Sequence, residues 1–166
     1  TVRDCWIGRK DIVREGLSSL EQYRLAKITG VERKGKSVIL HFLCGKEPRF
    51  LVAELGMTGL LLFRSTLTKH PQHTHFILHL DGCCEPDIRY WNPRRFGRLS
   101  LLDQAGLDRY VARRFGHDPL TISHEQFLRV LRATRSRLKS LLMHQQVIAG
   151  IGNIYANEIL FRSRLH

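Results

Sequence analysis

The sequence predicts an α+β fold, in which an antiparallel β-sandwich is followed by a helical segment. Short runs rich in β-branched and aromatic residues, separated by turn signals, occupy the chain as far as about residue 102. From residue 104 onward the apolar residues follow a helical period instead. A chain of 166 residues has room for one good core or two small ones. We therefore predict two domains, over residues 1–103 and 104–166.

Six runs in the first half are predicted to form strands. The run 74–80 alternates well, since Phe76, Leu78 and Leu80 fall on one face and His75, Ile77 and His79 on the other. Such alternation is typical of a half-buried antiparallel strand. The six predicted strands are 37–43, 50–55, 60–63, 74–80, 88–91 and 99–102.

The second half is predicted to hold three helices. Ser123-His-Glu-Gln126 matches a capping box, which favours a helix that begins there. Asn153 is a suitable N-cap for the last helix. The predicted elements are a connection over 106–119, a helix opened by Ser123, a helix over 136–143, a tight turn over 150–153 and a helix over 154–161.

The charge of the chain indicates its kind of partner. The formal net charge is +12, and the cations are 20 Arg against 7 Lys. Because a planar guanidinium can bind phosphate through two hydrogen bonds, this bias favours a phosphate-rich partner. Residues 89–139 alone carry a balance of +8, which is typical of a nucleic-acid-binding surface. A solvated helical face would have the same composition.

Composition also excludes several classes of protein. With 43% hydrophobic and 25% charged residues, the chain is typical of a folded protein. Its apolar runs fall far short of the roughly 20 residues that cross a bilayer, and no apolar leader opens it, so we expect a cytoplasmic protein without membrane association. The four cysteines lack C-x-x-C spacing, so we expect reduced thiols and no zinc finger here.

Four histidines lie close together in the sequence, at positions 70, 73, 75 and 79. His73 and His75 share a strand face, as two ligands of one metal would. No carboxylate or thiol beside them completes a coordination set, so no metal is predicted. The alternatives are solvated strand histidines and a contact between His73 and a phosphate.

Three segments carry a more specific signal. They are Glu54-Leu-Gly-Met-Thr-Gly59, Trp91-Asn-Pro-Arg-Arg-Phe-Gly97 and Gly150-Ile-Gly-Asn-Ile-Tyr-Ala-Asn-Glu158. In this order and spacing they resemble the formamidopyrimidine-DNA glycosylase and endonuclease VIII-like family of base-excision repair enzymes. The resemblance covers roughly residues 25–166. A single tripeptide would be weak evidence, whereas three long motifs in register are not expected by chance.

The resemblance implies a fold and a reaction. The family joins a β-sandwich domain to a helical domain that contains a helix–two-turn–helix, in agreement with the α+β prediction. The damaged base is flipped out of the duplex, since its glycosidic bond cannot be attacked inside the stack. An N-terminal proline then attacks the sugar C1′ and forms a Schiff base, an adjacent glutamate assists, and β,δ-elimination nicks the strand.

The chain begins at Thr1 without the family's Pro-Glu opening and ends at His166, before the usual zinc finger. We therefore expect the middle portion of such an enzyme, without the N-terminal catalytic helix and the C-terminal zinc finger. No catalytic residue is identified in it. No cofactor is expected in this chain, and the resemblance places a zinc finger in the C-terminal part that it lacks.

The resemblance assigns three residues to the wedge, the group of side chains that fills and flanks the gap left in the duplex by the flipped nucleotide. Met57 matches a residue that fills the gap left by the flipped nucleotide, which suits an unbranched and polarizable side chain. Phe96 would stack on a neighbouring base pair, and Arg94 would hold the orphaned base. The alternatives are a core methionine and a hairpin with a buried phenylalanine and solvated arginines. Arg95 is expected to be structural or a phosphate contact.

Phosphate contacts are implied for three further residues. Lys36 and His73 fall where the family has a lysine and a histidine, and a solvated hairpin lysine is the alternative for the first. Asn153 matches the phosphate contact of the helix–two-turn–helix, where free backbone N–H groups at a helix start form an anion site. An ordinary N-cap role for Asn153 is compatible with that contact.

The sequence departs from the family pattern at three positions. Glu54 stands where the family usually has His, Asn92 where Asp precedes Pro-Arg-Arg, and His144 where Asp is common. A carboxylate at position 54 would weaken phosphate binding unless it pairs with an arginine. These changes are compatible with a divergent or inactive member.

We expect a monomeric, nucleoid-associated DNA glycosylase with AP-lyase activity that binds double-stranded DNA with oxidised or abasic lesions. The Arg-Arg-Phe form of the wedge favours oxidised purines, such as formamidopyrimidine and 8-oxoguanine. The alternative is a catalytically inactive module that binds damaged DNA. An RNA-binding protein is a third hypothesis, against which the wedge residues Met57, Arg94 and Phe96 argue.

Overall fold

The computed structural model describes residues 1–64 and 71–165, and the chain divides into two compact units. Unit 1 comprises Thr1–Arg33 and Ser37–Leu107, and unit 2 comprises Lys34–Lys36 and Asp108–His166. Across the described residues, no helix is both long and apolar enough to traverse a lipid bilayer.

Unit 1 is a sandwich of two sheets. One sheet has the order β1-β7-β8-β6, and its pairs are antiparallel. The other has the order β2-β9-β5-β4-β3, in which the short β2 runs parallel to β9. The strands are β1 Val2–Ile7, β2 Val13–Glu15, β3 Lys27–Lys34, β4 Ser37–Cys44, β5 Glu47–Glu54, β6 Leu60–Phe63, β7 Thr74–Leu80, β8 Asp87–Trp91 and β9 Arg98–Leu102.

One apolar core lies between these sheets. Phe42 and Leu51 from one sheet and Phe76 and Tyr90 from the other are buried in the same cluster. The alternation predicted for 74–80 is confirmed from Phe76 onward, because Phe76, Leu78 and Leu80 are buried while Ile77 and His79 are only partly covered, but His75 on the second face is buried as well. Burial of these apolar faces holds the sandwich together.

All six predicted strands are present, as β4 to β9, whereas β1, β2 and β3 escaped prediction. Each of the three missed strands lies at the edge of its sheet. Edge strands are flanked by solvent, so they carry charged residues instead of a clear apolar alternation. The segment KITGVERK of β3, for example, contains four charged residues and a glycine.

Four helices follow the strands. The prediction of a connection over 106–119 is wrong for its first half, where α1 forms and Asp103 Oδ1 accepts a hydrogen bond from the Gly106 amide at 2.7 Å. The capping box at Ser123 is confirmed. A small core of Leu142, Ile148, Ile151 and Ala156 holds unit 2. The helices are α1 Gln104–Arg114, α2 His124–Arg132, α3 Leu138–Met143 and α4 Asn153–Arg162.

Candidate nucleic-acid interface

Two loops of unit 1 lie in direct contact with each other. One is the turn 55–59 after β5, and the other is the loop 92–97 between β8 and β9. Gly56 has a positive φ of 63°, and a Cβ atom there would lie 2.8 Å from the Gly97 amide nitrogen and 3.0 Å from the Phe96 carbonyl carbon. Only glycine allows both that backbone conformation and that approach.

These loops hold two large apolar side chains and a guanidinium at the surface. The side chain of Met57 is 72% exposed and that of Phe96 is 58% exposed. Arg94 is also exposed, and its guanidinium carbon lies 4.9 Å from the centroid of the Phe96 ring. The predicted wedge residues therefore share one surface, and neither Met57 nor Phe96 belongs to the core.

A buried hydrogen-bond network fixes the two loops to each other. Asn92 is fully buried, and its Nδ2 donates to the Tyr90 hydroxyl at 2.8 Å. That hydroxyl donates in turn to the Glu54 carbonyl oxygen at 2.9 Å. Burial raises the pKa of Tyr90 to about 12, which keeps its proton in place for donation. The start of the turn 55–59 is thereby tied to the start of the loop 92–97.

The middle of the loop has an unusual backbone. Arg95 has a φ of 55°, which residues other than glycine rarely adopt. Its amide donates to Asn92 Oδ1 at 3.0 Å and to the Asn92 carbonyl oxygen at 3.2 Å. Arg98 donates to the carbonyl oxygen of Arg95 and, at 2.8 Å, to that of Gly97. The loop is thus held from both ends around Arg94.

The carboxylate of Glu54 does have the arginine partner that phosphate binding requires. Arg14 Nη1 lies 2.6 Å from Glu54 Oε1, and the Glu54 side chain is only 19% exposed. The ion pair neutralises the negative charge at position 54. The departure from the family pattern at position 54 is therefore compatible with an anion-binding surface.

The histidines occupy different environments. His73 is partly buried, with its ring centroid 5.8 Å from that of Trp91, and its carbonyl oxygen accepts from the Asn92 amide at 2.9 Å. His75 was expected to be solvated but is buried, with Nε2 3.0 Å from the Asn92 carbonyl oxygen. Burial lowers the pKa of His75, and the positive charges of Arg9 and Arg95 lower it further. His70 lies outside the described residues.

His79 lies against a carboxylate. Its Nδ1 lies 2.6 Å from Asp87 Oδ1, and Arg89 Nη2 lies 2.7 Å from the other oxygen of that carboxylate. Burial by itself raises the pKa of Asp87, but the hydrogen bonds from Arg89 and His79 outweigh it, so the net pKa is below the ordinary value. Among the described residues, no three His, Cys, Asp or Glu side chains are grouped as metal ligands.

A cleft of about 510 Å³ lies beside the loop 92–97 in unit 1. Trp6, Arg9, His73, Pro93 and Arg95 are among the residues that line it. Arg9 is paired with Asp11 at 2.9 Å. The cleft therefore places cationic and aromatic side chains next to the loop that carries Arg94.

In unit 2, a second candidate element is the turn before α4. Gly150 has a φ of 113°, and its amide donates to Gln145 Oε1 at 2.9 Å. Gln145 Nε2 donates to the carbonyl oxygens of Ile151 and Met143, both at 2.9 Å. One half-buried amide side chain therefore holds the whole turn and leaves the start of α4 to solvent.

The start of α4 differs from the sequence prediction in one respect. Asn153 is the first residue of the helix and not its N-cap, which is Gly152 and makes no side-chain cap. The N–H groups of the first turn have no partner inside the helix. Lys36 Nζ lies 3.3 Å from the position that a Cβ of Gly152 would take, so a cation stands beside that turn. Asn153 and Lys36 are both exposed.

The structure thus brings Met57, Arg94 and Phe96 together in unit 1, with His73 bonded to the same loop. It brings Lys36 to the turn that leads to Asn153 in unit 2. Sequence reasoning missed three residues that hold these elements, Tyr90, Arg98 and Gln145. The Asn-Pro pair and the Gly-x-Gly turn mark where such supports are needed, but they do not indicate which side chains supply them.

Two family models match the chain. The formamidopyrimidine-DNA glycosylase N-terminal domain matches residues 1–99, and the formamidopyrimidine-DNA glycosylase H2TH domain matches residues 115–166. A formamidopyrimidine-DNA glycosylase of Thermomicrobium roseum is 39% identical over 156 residues, which are 86% of this chain and 53% of that protein. One of Desulforamulus reducens is 38% identical over 137 residues, 81% of this chain and 48% of that protein. The chain spans about half the length of the curated relatives it matches.

Solved structures agree with these matches. The MutM (Fpg) protein of Thermus thermophilus superposes with a TM-score of 0.79 at 34% identity, over 99% of this chain and 57% of that one. The formamidopyrimidine DNA glycosylase of Lactococcus lactis, bound non-covalently to DNA with an AP site, has a TM-score of 0.82 at 23% identity, over 99% of this chain and 63% of that one. The second likeness shows the shared fold.

Proposed function

This chain belongs to the formamidopyrimidine-DNA glycosylase family, and we propose that it binds damaged double-stranded DNA as part of a base-excision repair glycosylase. The proposed reaction is removal of an oxidised base followed by AP-lyase cleavage. The surface that carries the proposal is the pair of loops that exposes Met57, Arg94 and Phe96 together. A single exposed hydrophobic residue would be ordinary, but two beside a guanidinium in rigid loops are suited to recognition.

The chemistry of the three side chains matches a duplex from which one nucleotide has been flipped. Met57 is flexible and apolar, so it can occupy the irregular gap between bases. Phe96 can stack on the adjacent base pair, and Arg94 can donate to the edge of the unpaired base. The contact between the Arg94 guanidinium and the Phe96 ring aligns the two for this purpose.

Phosphate binding completes the proposed interface. In unit 2, the free N–H groups at the start of α4, together with Asn153 and the nearby ammonium of Lys36, form a site for an anion. In unit 1, His73 lies in the cationic cleft beside the wedge loop. Phosphate contacts position a protein on DNA and carry no preference for damage. Discrimination is therefore assigned to the wedge alone.

The test separates these two roles by measuring the affinity of each variant for an abasic-site duplex and for an undamaged duplex. Arg94→Ala should weaken binding of the abasic duplex at least tenfold and leave undamaged DNA nearly unchanged. Arg94→Lys, which keeps the charge and loses the planar fork, should behave like Arg94→Ala. An equal loss of affinity for both duplexes would refute the wedge role of Arg94.

Asn153→Ala should weaken both duplexes by roughly 1–2 kcal/mol, as loss of a phosphate contact does. Lys36→Ala should act in the same way. Lys46→Ala is the matched control, because Lys46 is an exposed hairpin lysine in unit 1 outside the proposed interface. Loss confined to damaged DNA would refute the phosphate assignment.

We propose oxidised purines as the substrates, since the wedge has the Arg-Arg-Phe form. A non-catalytic module that binds damaged DNA is the second candidate, favoured by Glu54 and Asn92 at positions where the family usually has other residues. Borohydride trapping on abasic DNA distinguishes the two. A covalent adduct requires an amine that forms a Schiff base, so its detection would support AP-lyase activity. Abasic binding without an adduct supports the module.

A further inference from the structure

We propose that Asn92 is the positioning residue of the wedge, acting as a neutral, fully buried clamp that sets Arg94 and Phe96 against Met57. The inference rests on the proposed function and deepens it. Asn92 touches no solvent and has no access to DNA, so any effect it has on recognition passes through the loops that it holds.

Asn92 uses each of its polar groups on a different part of the interface. Its Nδ2 reaches the Met57 turn through the Tyr90 hydroxyl and the Glu54 carbonyl oxygen. Its Oδ1 accepts from the amide of Arg95, the residue between Arg94 and Phe96. Its backbone amide donates to the carbonyl oxygen of His73, just before β7, and its carbonyl oxygen lies 3.0 Å from Nε2 of His75 in β7. One side chain therefore couples the turn that carries Met57 to the loop that carries the other two wedge residues.

The amide sets the direction of the hydrogen bonds in this chain. Because Nδ2 donates to the Tyr90 oxygen, the Tyr90 proton is directed at the Glu54 carbonyl oxygen. An aspartate at position 92 would accept that proton instead, so the Glu54 carbonyl oxygen would lose its donor. The same aspartate would bury a negative charge with no described cation bonded to it. Asn92 thus supplies hydrogen-bond partners to both loops without burying a charge.

The strained backbone of Arg95 explains why the loop needs the hydrogen bonds to Asn92. A non-glycine residue at a φ of 55° is retained only when its surroundings fix it. Two hydrogen bonds to Asn92 and one to Arg98 provide that fixation. Without the bonds to Asn92, the loop relaxes toward ordinary backbone angles, and Arg94 and Phe96 leave the positions that face a lesion.

The test is a mutant cycle read as the ratio of affinities for abasic and undamaged duplex. Asn92→Ala should lower this ratio about tenfold while the affinity for undamaged duplex stays within twofold. Tyr90→Phe should lower it about threefold, because it cuts only the branch to Glu54. Asn92→Asp should match Tyr90→Phe, since it keeps the acceptor for the Arg95 amide.

The background variant Arg94→Ala/Phe96→Ala makes the test specific. If Asn92 acts by positioning, Asn92→Ala causes no further loss of the ratio in that background, since the two side chains that it sets against Met57 are already gone. The same tenfold loss in both backgrounds, or equal loss on the two duplexes, would overturn the proposal. A merely structural role predicts one of these two results.

Amide hydrogen exchange tests the clamp without DNA, so a chain that shows no preference for abasic DNA still gives an answer. Asn92→Ala should speed exchange at least tenfold at residues 94–97 and 55–59 and leave the β4–β5 pairing unchanged. Unchanged exchange at both loops would overturn the clamp. Fast exchange at the loops in a protein without abasic preference would support the clamp and refute only the proposed function.

Discussion

The two candidate elements are both held by a carboxamide side chain, but in different surroundings. In unit 1, Asn92 is fully buried and bonds to other side chains as well as to backbone. In unit 2, Gln145 is half-buried, and its bonds to the turn before α4 go to backbone alone. Among the residues that the structure describes, all those both buried and polar belong to unit 1: Ser37, Thr74, His75, Asp87, Asn92 and Ser100.

This difference matches the two kinds of recognition that we propose. A wedge must present particular side chains at fixed positions, which favours a rigid and fully satisfied network below them. A phosphate site needs only free N–H groups and space, which glycine and a backbone turn supply. We therefore expect changes in unit 1 to alter the preference for damage and changes in unit 2 to alter overall affinity.

The largest expected effect comes from adding a side chain where the two loops of unit 1 are in contact. A Cβ at Gly97 would lie 2.1 Å from the Glu54 carbonyl oxygen and 2.2 Å from the Tyr90 hydroxyl. Gly97→Ala should therefore destabilise unit 1 by roughly 3 kcal/mol and abolish the preference for abasic duplex. Urea unfolding and duplex binding measure the two effects.

Gly45→Ala is the control for Gly97→Ala. Gly45 has a φ of 64° with nothing within 4 Å of its Cβ position. It should cost only about 1 kcal/mol of conformational strain and leave the binding preference intact. If the two variants behaved alike, the tight contact between the loops would have no special role.

The corresponding change in unit 2 removes the side chain that holds its turn. Gln145→Ala should weaken abasic and undamaged duplex equally, by about tenfold, because three hydrogen bonds to the turn and its neighbour are lost. Gln146→Ala is the matched control, since the Gln146 side chain is exposed and donates to the Arg113 carbonyl oxygen, outside the turn before α4. A selective loss on abasic duplex would contradict the comparison.

The buried histidine predicts a difference in pH dependence. The folded pKa of His75 is lowered, so its contribution to stability is present above the unfolded value of about 6.5 and is lost as pH falls through the folded pKa. Unit 1 should therefore lose stability as pH falls below about 6.5. Unfolding followed by Trp fluorescence, compared with His75→Gln, measures this loss; the same slope in the variant would assign it to another group.

The smallest expected effect is at the capping box of α2. Ser123 accepts from the Gln126 amide at 3.2 Å, and both residues are exposed. Ser123→Ala should cost about 1 kcal/mol of stability, confined to unit 2, and should change neither duplex affinity by more than twofold. Hydrogen exchange in α2 measures the first effect. A changed preference for abasic over undamaged duplex would show that the stability of unit 2 affects the wedge residues.

The parts of the fold that follow local rules could be predicted from the sequence. The strands with apolar alternation and the capping box at Ser123 need only a few adjacent residues. Edge strand β3 and helix α1 could not be predicted in the same way, since neither carries a clear apolar pattern. Asp103, whose side chain caps α1, was an available signal.

The candidate site shows the same division. The motifs drew attention to Met57, Arg94 and Phe96, and all three side chains are exposed in the turn 55–59 and the loop 92–97. The supports Tyr90 and Gln145 act through hydrogen bonds that only the folded chain creates. The Tyr90 hydroxyl, for instance, reaches the Glu54 carbonyl oxygen across 36 positions of sequence.

The hairpin tip Lys34–Lys36 has a consequence for how unit 2 is assembled. A side chain at Gly35 would collide with Phe115, which lies 80 positions later in the sequence, so the two are closely packed. Unit 2 is therefore not a continuous stretch of chain, and its assembly includes the closure of a long loop. A peptide limited to the helices would lack the ammonium of Lys36, and its affinity for DNA would underestimate that of the complete unit.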